Sequence, residues 1–345
     1  EFNEPLRSVA DQMPRVEHVI TTDGAIGDEL DYETILEGQP GECPDAEVDP
    51  DDVAWLFYTS GTTGRPKGAM LTHRNLEAMS TGFFTDMCPD RSQPEATLHA
   101  APLSHGSGLY ALPNVAMAAT HVIPSATSFD PADIFECIQR HQITNIFVAP
   151  TMLKRLIDHP DIGRFDLGSL KSVIYGGAPM LVEDLLRALE QLGPCLVQLY
   201  GQGESPMTIT YLPHQDHVSD GNETRHRRLG SAGIARTDVE VGIVDDNDRR
   251  LGTGEVGEIV TRSDLVMKGY WRDPDASDNS LRGGWLHTGD VGYLDEDGYL
   301  FLMDRSHDMI ISGGENIYPR EIEEVLVRHP AVHEVAVIGI PDEEW

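Results

Sequence analysis

The chain is 345 residues long, room for more than one domain with its own core. It carries 58 acidic residues against 25 basic ones, only four of them lysine, for a net charge of −33. With no basic patch to neutralise phosphates, a nucleic-acid or anionic-membrane partner is not expected, while such an acidic surface suits a halophile, whose proteins stay soluble where salt screens charge, or else an ordinary acidic enzyme from an Arg-rich, GC-biased genome. The longest apolar stretch, 109–124, is interrupted by Pro113, Asn114 and His121, so no membrane span is expected. Cys43, Cys88, Cys137 and Cys195 are far apart and form no CxxC pair; they read as thiols of a reducing, cytoplasmic compartment.

In chain order, residues 1–52 are rich in Pro, Gly and Asp and read as a linker or partial N-terminal segment. Residues 53–58 are apolar and aromatic enough for a buried strand. From 58 to 68 the chain then runs Tyr-Thr-Ser-Gly-Thr-Thr-Gly-Arg-Pro-Lys-Gly. A helix start is expected near Thr72, giving the order strand, hydroxyl-rich glycine loop, helix. Such a loop wraps a polyphosphate: Gly61 and Gly64 let backbone N–H groups approach, Thr59, Ser60, Thr62 and Thr63 donate to phosphate oxygens, and Lys67 adds a cation. It is not a Walker loop, because Pro66 stands where the second glycine belongs and Gly68 follows the lysine. Taken alone, the run also reads as an ordinary polar surface turn.

Between 96 and 201 strand-like segments (97–101, 144–149, 172–175, 196–200) alternate with helix-like ones (131–141, 151–159, 181–192). That alternation predicts an α/β fold, parallel-sheet layers with helices packed on them, and functional loops at the strands' carboxyl ends. The region 53–227 is therefore expected to form one α/β unit. From 228 to 303 short strands (239–244, 255–261) separated by Asp- and Gly-rich turns predict a small β-barrel or sheet subdomain. A helix from Pro319 and a strand over 332–340 then open a small α+β domain over 309–345, with too few elements to close a core.

Further chemistry lies at those strand ends. Tyr-Gly-Gly-Ala-Pro at 175–179 puts Gly177 and Ala178 where a flat ring could lie against backbone, or where a simple strand-to-helix turn is made. Leu-Tyr-Gly-Gln-Gly-Glu at 199–204 offers Tyr200 as a ring face and Glu204 as a carboxylate able to hold Mg²⁺. Thr288-Gly289-Asp290 supplies a carboxylate that can take a vicinal diol bidentately. Asp-Arg-Ser-His-Asp-Met-Ile follows at 304–310, and Ser-Gly-Gly-Glu-Asn-Ile-Tyr-Pro at 312–319.

Taken together and in this order, these segments resemble the adenylate-forming superfamily, which includes acyl- and aryl-CoA synthetases, peptide-synthetase adenylation domains and firefly luciferase. The resemblance implies an AMP-forming acid–thiol ligase using ATP, Mg²⁺, a small carboxylic acid and coenzyme A. It implies a phosphate loop at Thr59, Ser60, Gly61, Thr62, Thr63, Gly64 and Lys67, and a nucleotide site at Gly177, Ala178, Tyr200, Gly201, Gly203, Asp290 and Arg305. It also implies Mg²⁺ at Glu204, an acyl and thiol gate at His105, a hinge over 304–308 with His307 as the hinge residue, and a thioester-step loop at Gly313, Gly314 and Glu315. The sequence departs from the pattern at Gly203, where the family carries Thr, with Ser205 as the nearest replacement hydroxyl. It departs again at His307, usually Asp or Lys. The phosphate loop begins near residue 58 and the family's C-terminal lysine is absent, so a chain truncated at both ends and weak in adenylation is expected. Residues around 105–110, 175–180 and 202–208, mostly small or apolar, are expected to line the acid pocket, with no evident cation for a second carboxylate. An apolar aliphatic or aryl monoacid follows. A carrier-protein thiol as acceptor, and a nucleotide-binding fragment without turnover, remain alternatives.

Overall fold

The computed structural model describes the chain apart from residues 1–2, 23, 44, 60–65, 89–94, 127, 219, 306–309, 313–314, 318, 327–328, 330, 333–334 and 341–345. Residues 1–48 and 49–345 are separate compact units. In the first, α1 (Asn3–Ser8) precedes a parallel pair, β1 (Ile20–Thr21) and β2 (Leu30–Asp31), and α2 (Tyr32–Leu36). Asp31 caps α2 by accepting from the Thr34 N–H at 2.9 Å.

The second unit opens with β3 (Val53–Thr59) and β4 (Lys67–Thr72), antiparallel with Thr59 opposite Lys67. The glycine loop is therefore a hairpin connection between strands, and the expected strand–loop–helix order is corrected. Gly-Ala-Met-Leu-Thr after Lys67 buries Gly68, Ala69 and Leu71, which a paired strand does and an exposed helix lead-in does not. The helix begins one element later as α3 (His73–Gly82), with Thr72 and Asn75 forming a reciprocal capping box. A wider π-helical turn over Phe83–Met87 continues it.

Next come β5 (Ala96–Leu98), α4 (Gly106–Ala116), β6 (Thr120–Val122), α5 (Pro131–His141), β7 (Asn145–Val148), α6 (Pro150–Ile157), β8 (Ser172–Gly176), α7 (Val182–Leu192) and β9 (Leu196–Gln202). The strands then turn back as β10 (Ser205–Leu212), followed by α8 (Glu223–Leu229) and β11 (Ile234–Ala235). These make one seven-stranded sheet in the order β11-β10-β9-β8-β7-β5-β6, parallel from β6 to β9 and antiparallel at β10 and β11. Both faces are covered, which explains the continuous apolar runs of β7, β8 and β9. Ile146, Val173 and Tyr175 pack against Ile134, Leu153 and Leu185 of α5, α6 and α7. Phe147, Ile174 and Leu199 pack against Phe83, Met87 and Tyr110 on the other face.

The small β subdomain takes the form of an antiparallel four-stranded sheet: β12 (Glu240–Val244), β13 (Gly257–Arg262), β14 (Leu286–Leu294) and β15 (Leu300–Arg305), with α9 (Pro274–Ser280) inserted. Ile243, Ile259 and Leu300 share a cluster with Tyr200 and Ile209, so this sheet is anchored on β9 and β10. A hairpin, β16 (Ile310–Ser312) and β17 (Glu315–Ile317), leads to α10 (Pro319–Leu326). The expected strand over 332–340 does not form among the described residues; no described strand lies there to supply ladder partners. No helix among the described residues is long and apolar enough to cross a membrane.

Candidate active site

The turn from β9 to β10 is the centre of the site. Tyr200 and Gln202 lie two apart on β9 and so share a face. The Tyr200 hydroxyl and Gln202 Nε2 both donate to Asp290 Oδ2, each at 2.7 Å. Gln202 Nε2 also donates to the Thr288 carbonyl at 2.8 Å. Asp290 lies on β14 directly opposite Arg305 of β15, whose side chain is outside the described residues. Gly289, at φ +72°, makes the kink that lets Thr288 Oγ1 accept the Asp290 N–H at 3.1 Å. Behind the kink, Glu258 accepts from the Gly289 N–H at 3.1 Å and holds His287 and Arg282 through its other oxygen. Asp248, Glu258 and His287 are close enough to hold a metal ion, but Arg282 already bridges the two carboxylates as their cation.

Four residues after Tyr200, Glu204 faces the β3–β4 hairpin. Its Oε1 accepts from Thr59 Oγ1 at 3.1 Å and from the Tyr270 hydroxyl at 2.6 Å. Burial and then the adjoining Glu204 carboxylate push the Tyr270 phenol well above its ordinary pKa, so it stays protonated and donates. Lys67 Nζ sits 5.1 Å from the centre of the Tyr270 ring. Tyr270 is held there by a backbone seam: Met267 N–H to Glu204 O, Lys268 N–H to Met70 O, Met70 N–H to Gly269 O, and Trp271 N–H to Gly68 O, all between 2.8 and 2.9 Å. Asn75 secures the start of the seam, donating to the carbonyls of Asp264 and Val266.

Gly203 is packed too tightly for any side chain: a Cβ would lie 2.4 Å from Thr59 Cγ2 and 2.7 Å from Phe57 Cδ1. The Phe57 ring also touches His105, 5.1 Å between centroids, so His105 joins this group from the start of α4. Ser205, the nearest replacement hydroxyl, is fully buried, and its Oγ has no hydrogen-bond partner among the described residues. Tyr200 is nearly buried and its hydroxyl is engaged by Asp290, which narrows the ring face it can offer a base. Gly177, at φ +85°, and Ala178 are exposed at the end of β8, while Gly201 is half-buried beside Tyr200.

Thr59, Lys67, His105, Gly203, Glu204, Tyr200 and Asp290 are thus brought into one region. Ser60, Gly61, Thr62, Thr63, Gly64, His307, Gly313 and Gly314 lie outside the described residues, as does the side chain of Glu315. Sequence reasoning missed Gln202, Tyr270 and Glu258, and it missed Arg236, which lines a buried cavity beside Leu109 and Pro206. Only Gln202 carried a signal, the two-residue spacing from Tyr200.

Residues 2–271 match the model of the AMP-binding enzyme family, and residues 321–345 match that of the AMP-binding enzyme C-terminal domain. The chain belongs to the AMP-binding enzyme family. Among curated relatives, the medium/long-chain-fatty-acid–CoA ligase FadD8 of Mycobacterium tuberculosis is 35% identical over all of this chain and 59% of its own length. A feruloyl-CoA synthase of Amycolatopsis is 41% identical over 90% of this chain and 61% of its own length. Among solved structures, the amide bond synthetase McbA from Marinactinospora thermotolerans superposes with a TM-score of 0.84 at 36% identity, over 98% of this chain and 65% of that one. The chain therefore spans about three fifths of the length of the AMP-binding enzymes it matches. That places the fold and its motif series within the adenylate-forming superfamily.

Proposed function

We propose that this chain carries the nucleotide- and acid-binding part of an AMP-forming acid–thiol ligase. In the first step a carboxylate oxygen attacks the α-phosphorus of ATP, the bond to the bridging oxygen of pyrophosphate breaks, and acyl-adenylate forms. In the second, the thiol sulfur of coenzyme A attacks the acyl carbon, its proton is lost to solvent, and AMP leaves. The observation that carries this reading is the β9–β10 turn. Within five residues it grips Asp290 at one end, through Tyr200 and Gln202, and Thr59 at the other, through Glu204. A diol-directed carboxylate and a phosphate-directed group separated by so short a turn suit a single nucleotide.

In this reading Asp290 and Arg305 take the ribose, and Gly177, Ala178, Tyr200 and Gly201 flank the base. Thr59 through Gly64, with Lys67, hold the departing phosphates. The chemistry asks mainly for alignment and charge neutralisation, with no covalent enzyme intermediate. Glu204 suits a hard cation. Its Oε1 is fixed by two hydroxyls, while Oε2 makes no hydrogen bond among the described residues. Mg²⁺ held there would neutralise phosphate oxygens. His105, beside Phe57, gates the acid and thiol path; Gly313, Gly314 and Glu315 serve the thioester step, and His307 the hinge between steps. The acid is an aliphatic or aryl monoacid, and the setting a reducing cytoplasm, in keeping with the cysteine pattern.

Acid-dependent exchange of pyrophosphate into ATP, measured on the full-length protein with a panel of acids, tests the first step. Thioester formation with and without coenzyme A tests the second. Exchange with at least one acid, followed by coenzyme A-dependent thioester, is expected. No exchange across the panel contradicts the ligase; exchange without thioester points to another acceptor.

A further inference from the structure

One buried cavity is lined by Met79, Phe83 and Met87 from α3 and its extension, Leu109, Tyr110 and Pro113 from α4, Pro206 from β10, and Arg236. Its walls continue the two elements that carry Glu204 and His105, so it adjoins the acid side of the site. Two of its lining groups carry donor atoms left with poor acceptors among the described residues, although the Arg236 guanidinium also lies over the Tyr211 ring, 5.4 Å from its centre. Arg236 is 4% exposed and Tyr110 8%. Arg236 Nε donates to Asp86 Oδ2 at 2.7 Å, but that carboxylate is also served by the N–H and hydroxyl of Thr237, at 3.1 and 2.6 Å. Only one guanidinium nitrogen is therefore used on the ion pair. Nη1 reaches nothing better than Met87 Sδ at 3.8 Å, and Nη2 finds no acceptor among the described residues. Among the described residues the Tyr110 hydroxyl likewise meets only Met87 Sδ, at 3.9 Å. A buried donor facing a thioether forfeits most of a hydrogen bond.

We propose that Arg236 and Tyr110 receive an uncharged oxygen (a phenol, ether or carbonyl) at the far end of the acid substrate. This rests on the ligase reading and narrows its substrate class from apolar monoacids to monoacids with a polar tip. The charge balance selects a neutral group. Arg236 and Asp86 sum to zero, so a second carboxylate would bring net negative charge into a buried, mostly apolar pocket. The free volume of the cavity, about 10 Å³, is that of a single water-sized group and so suits the oxygen tip alone.

The test is pyrophosphate exchange by the full-length protein with matched acids: para-hydroxy, para-methoxy, para-methyl and para-carboxy arylpropenoic acids, and ω-hydroxy against methyl-ended aliphatic acids of equal length. Oxygen-tipped acids are expected to exceed their methyl isosteres by about tenfold or more in kcat/KM, the discrimination a site with unpaired donors achieves. In Tyr110→Phe and in Arg236→Lys, which keeps Asp86 paired, that ratio should fall toward one. Because it compares two substrates on one protein, a loss of folded enzyme cancels. Methyl-ended acids equal to or better than oxygen-tipped ones would overturn the proposal while leaving the ligase standing, the donors then serving buried water only. A preference for the para-carboxy acid would overturn the neutral assignment. No exchange with any acid would remove both readings.

Discussion

Tyr270 donates at 2.6 Å to the same Glu204 oxygen that Thr59 reaches at 3.1 Å, and so it fixes which way the carboxylate faces. Tyr270→Phe keeps the ring under Lys67 and removes the hydroxyl's bonds to Glu204 and Ser280. The expected outcome is a several-fold rise in the Mg²⁺ concentration needed for half-maximal exchange, with the KM for the acid unchanged. An unchanged Mg²⁺ requirement would reduce Tyr270 to a packing residue. At this scale legibility was uneven. Thr59, Tyr200, Glu204 and Asp290 stood in motifs whose spacing announces their chemistry, and the structure brings them together. Tyr270 and Arg236 stood in no motif. Their roles arise from partners 66 and 150 positions away along the chain, Glu204 and Asp86, a separation that local pattern cannot report.

The hairpin of β3 and β4, the β9–β10 turn and the seam through Tyr270 interlock so closely that Gly203 has no room for a side chain. Thr at 203, the residue the family pattern carries, is therefore expected to displace Thr59 and weaken exchange by an order of magnitude, instead of restoring a phosphate contact. Equal or higher exchange by Gly203→Thr contradicts the packing. A second consequence lies between β8 and the turn after β10. There His217, 3% exposed, is fitted between the Tyr175 hydroxyl at 3.0 Å and the Pro213 carbonyl at 2.9 Å. Burial pushes its pKa down from 6.5 to about 4. The folded chain keeps it neutral while the unfolded chain protonates it below 6.5. Its contribution is thus intact above pH 6.5 and drains as pH falls toward 4, by on the order of 3 kcal/mol. Denaturant midpoints between pH 7.5 and 4.5 should fall more steeply in the wild type than in His217→Phe. Parallel profiles would count against it. At the element scale, the apolar runs of β7, β8 and β9 and the capped helix α5 were readable, because burial on both sheet faces leaves an unbroken apolar signature. The hairpin was not, since a glycine loop looks the same before a strand as before a helix.

Across the whole molecule the charge of −33 sets the response to salt. Repulsion among surface carboxylates is screened as the Debye length shrinks from about 10 Å at 0.1 M salt to about 3 Å at 1 M. The melting temperature is expected to rise steadily over that range of sodium chloride; a flat or falling curve would exclude the halophilic reading. The architecture also makes one claim above all others: that a single nucleotide spans from Asp290 to Glu204. Calorimetric titration of ATP and 2′,3′-dideoxy-ATP, in Mg²⁺, into the wild type and Asp290→Asn tests it most directly. One ATP per chain is expected, with loss of the two ribose hydroxyls weakening wild-type binding by about tenfold or more and Asp290→Asn binding hardly at all. Equal affinity of the wild type for both nucleotides, or the same weakening in both proteins, would contradict it.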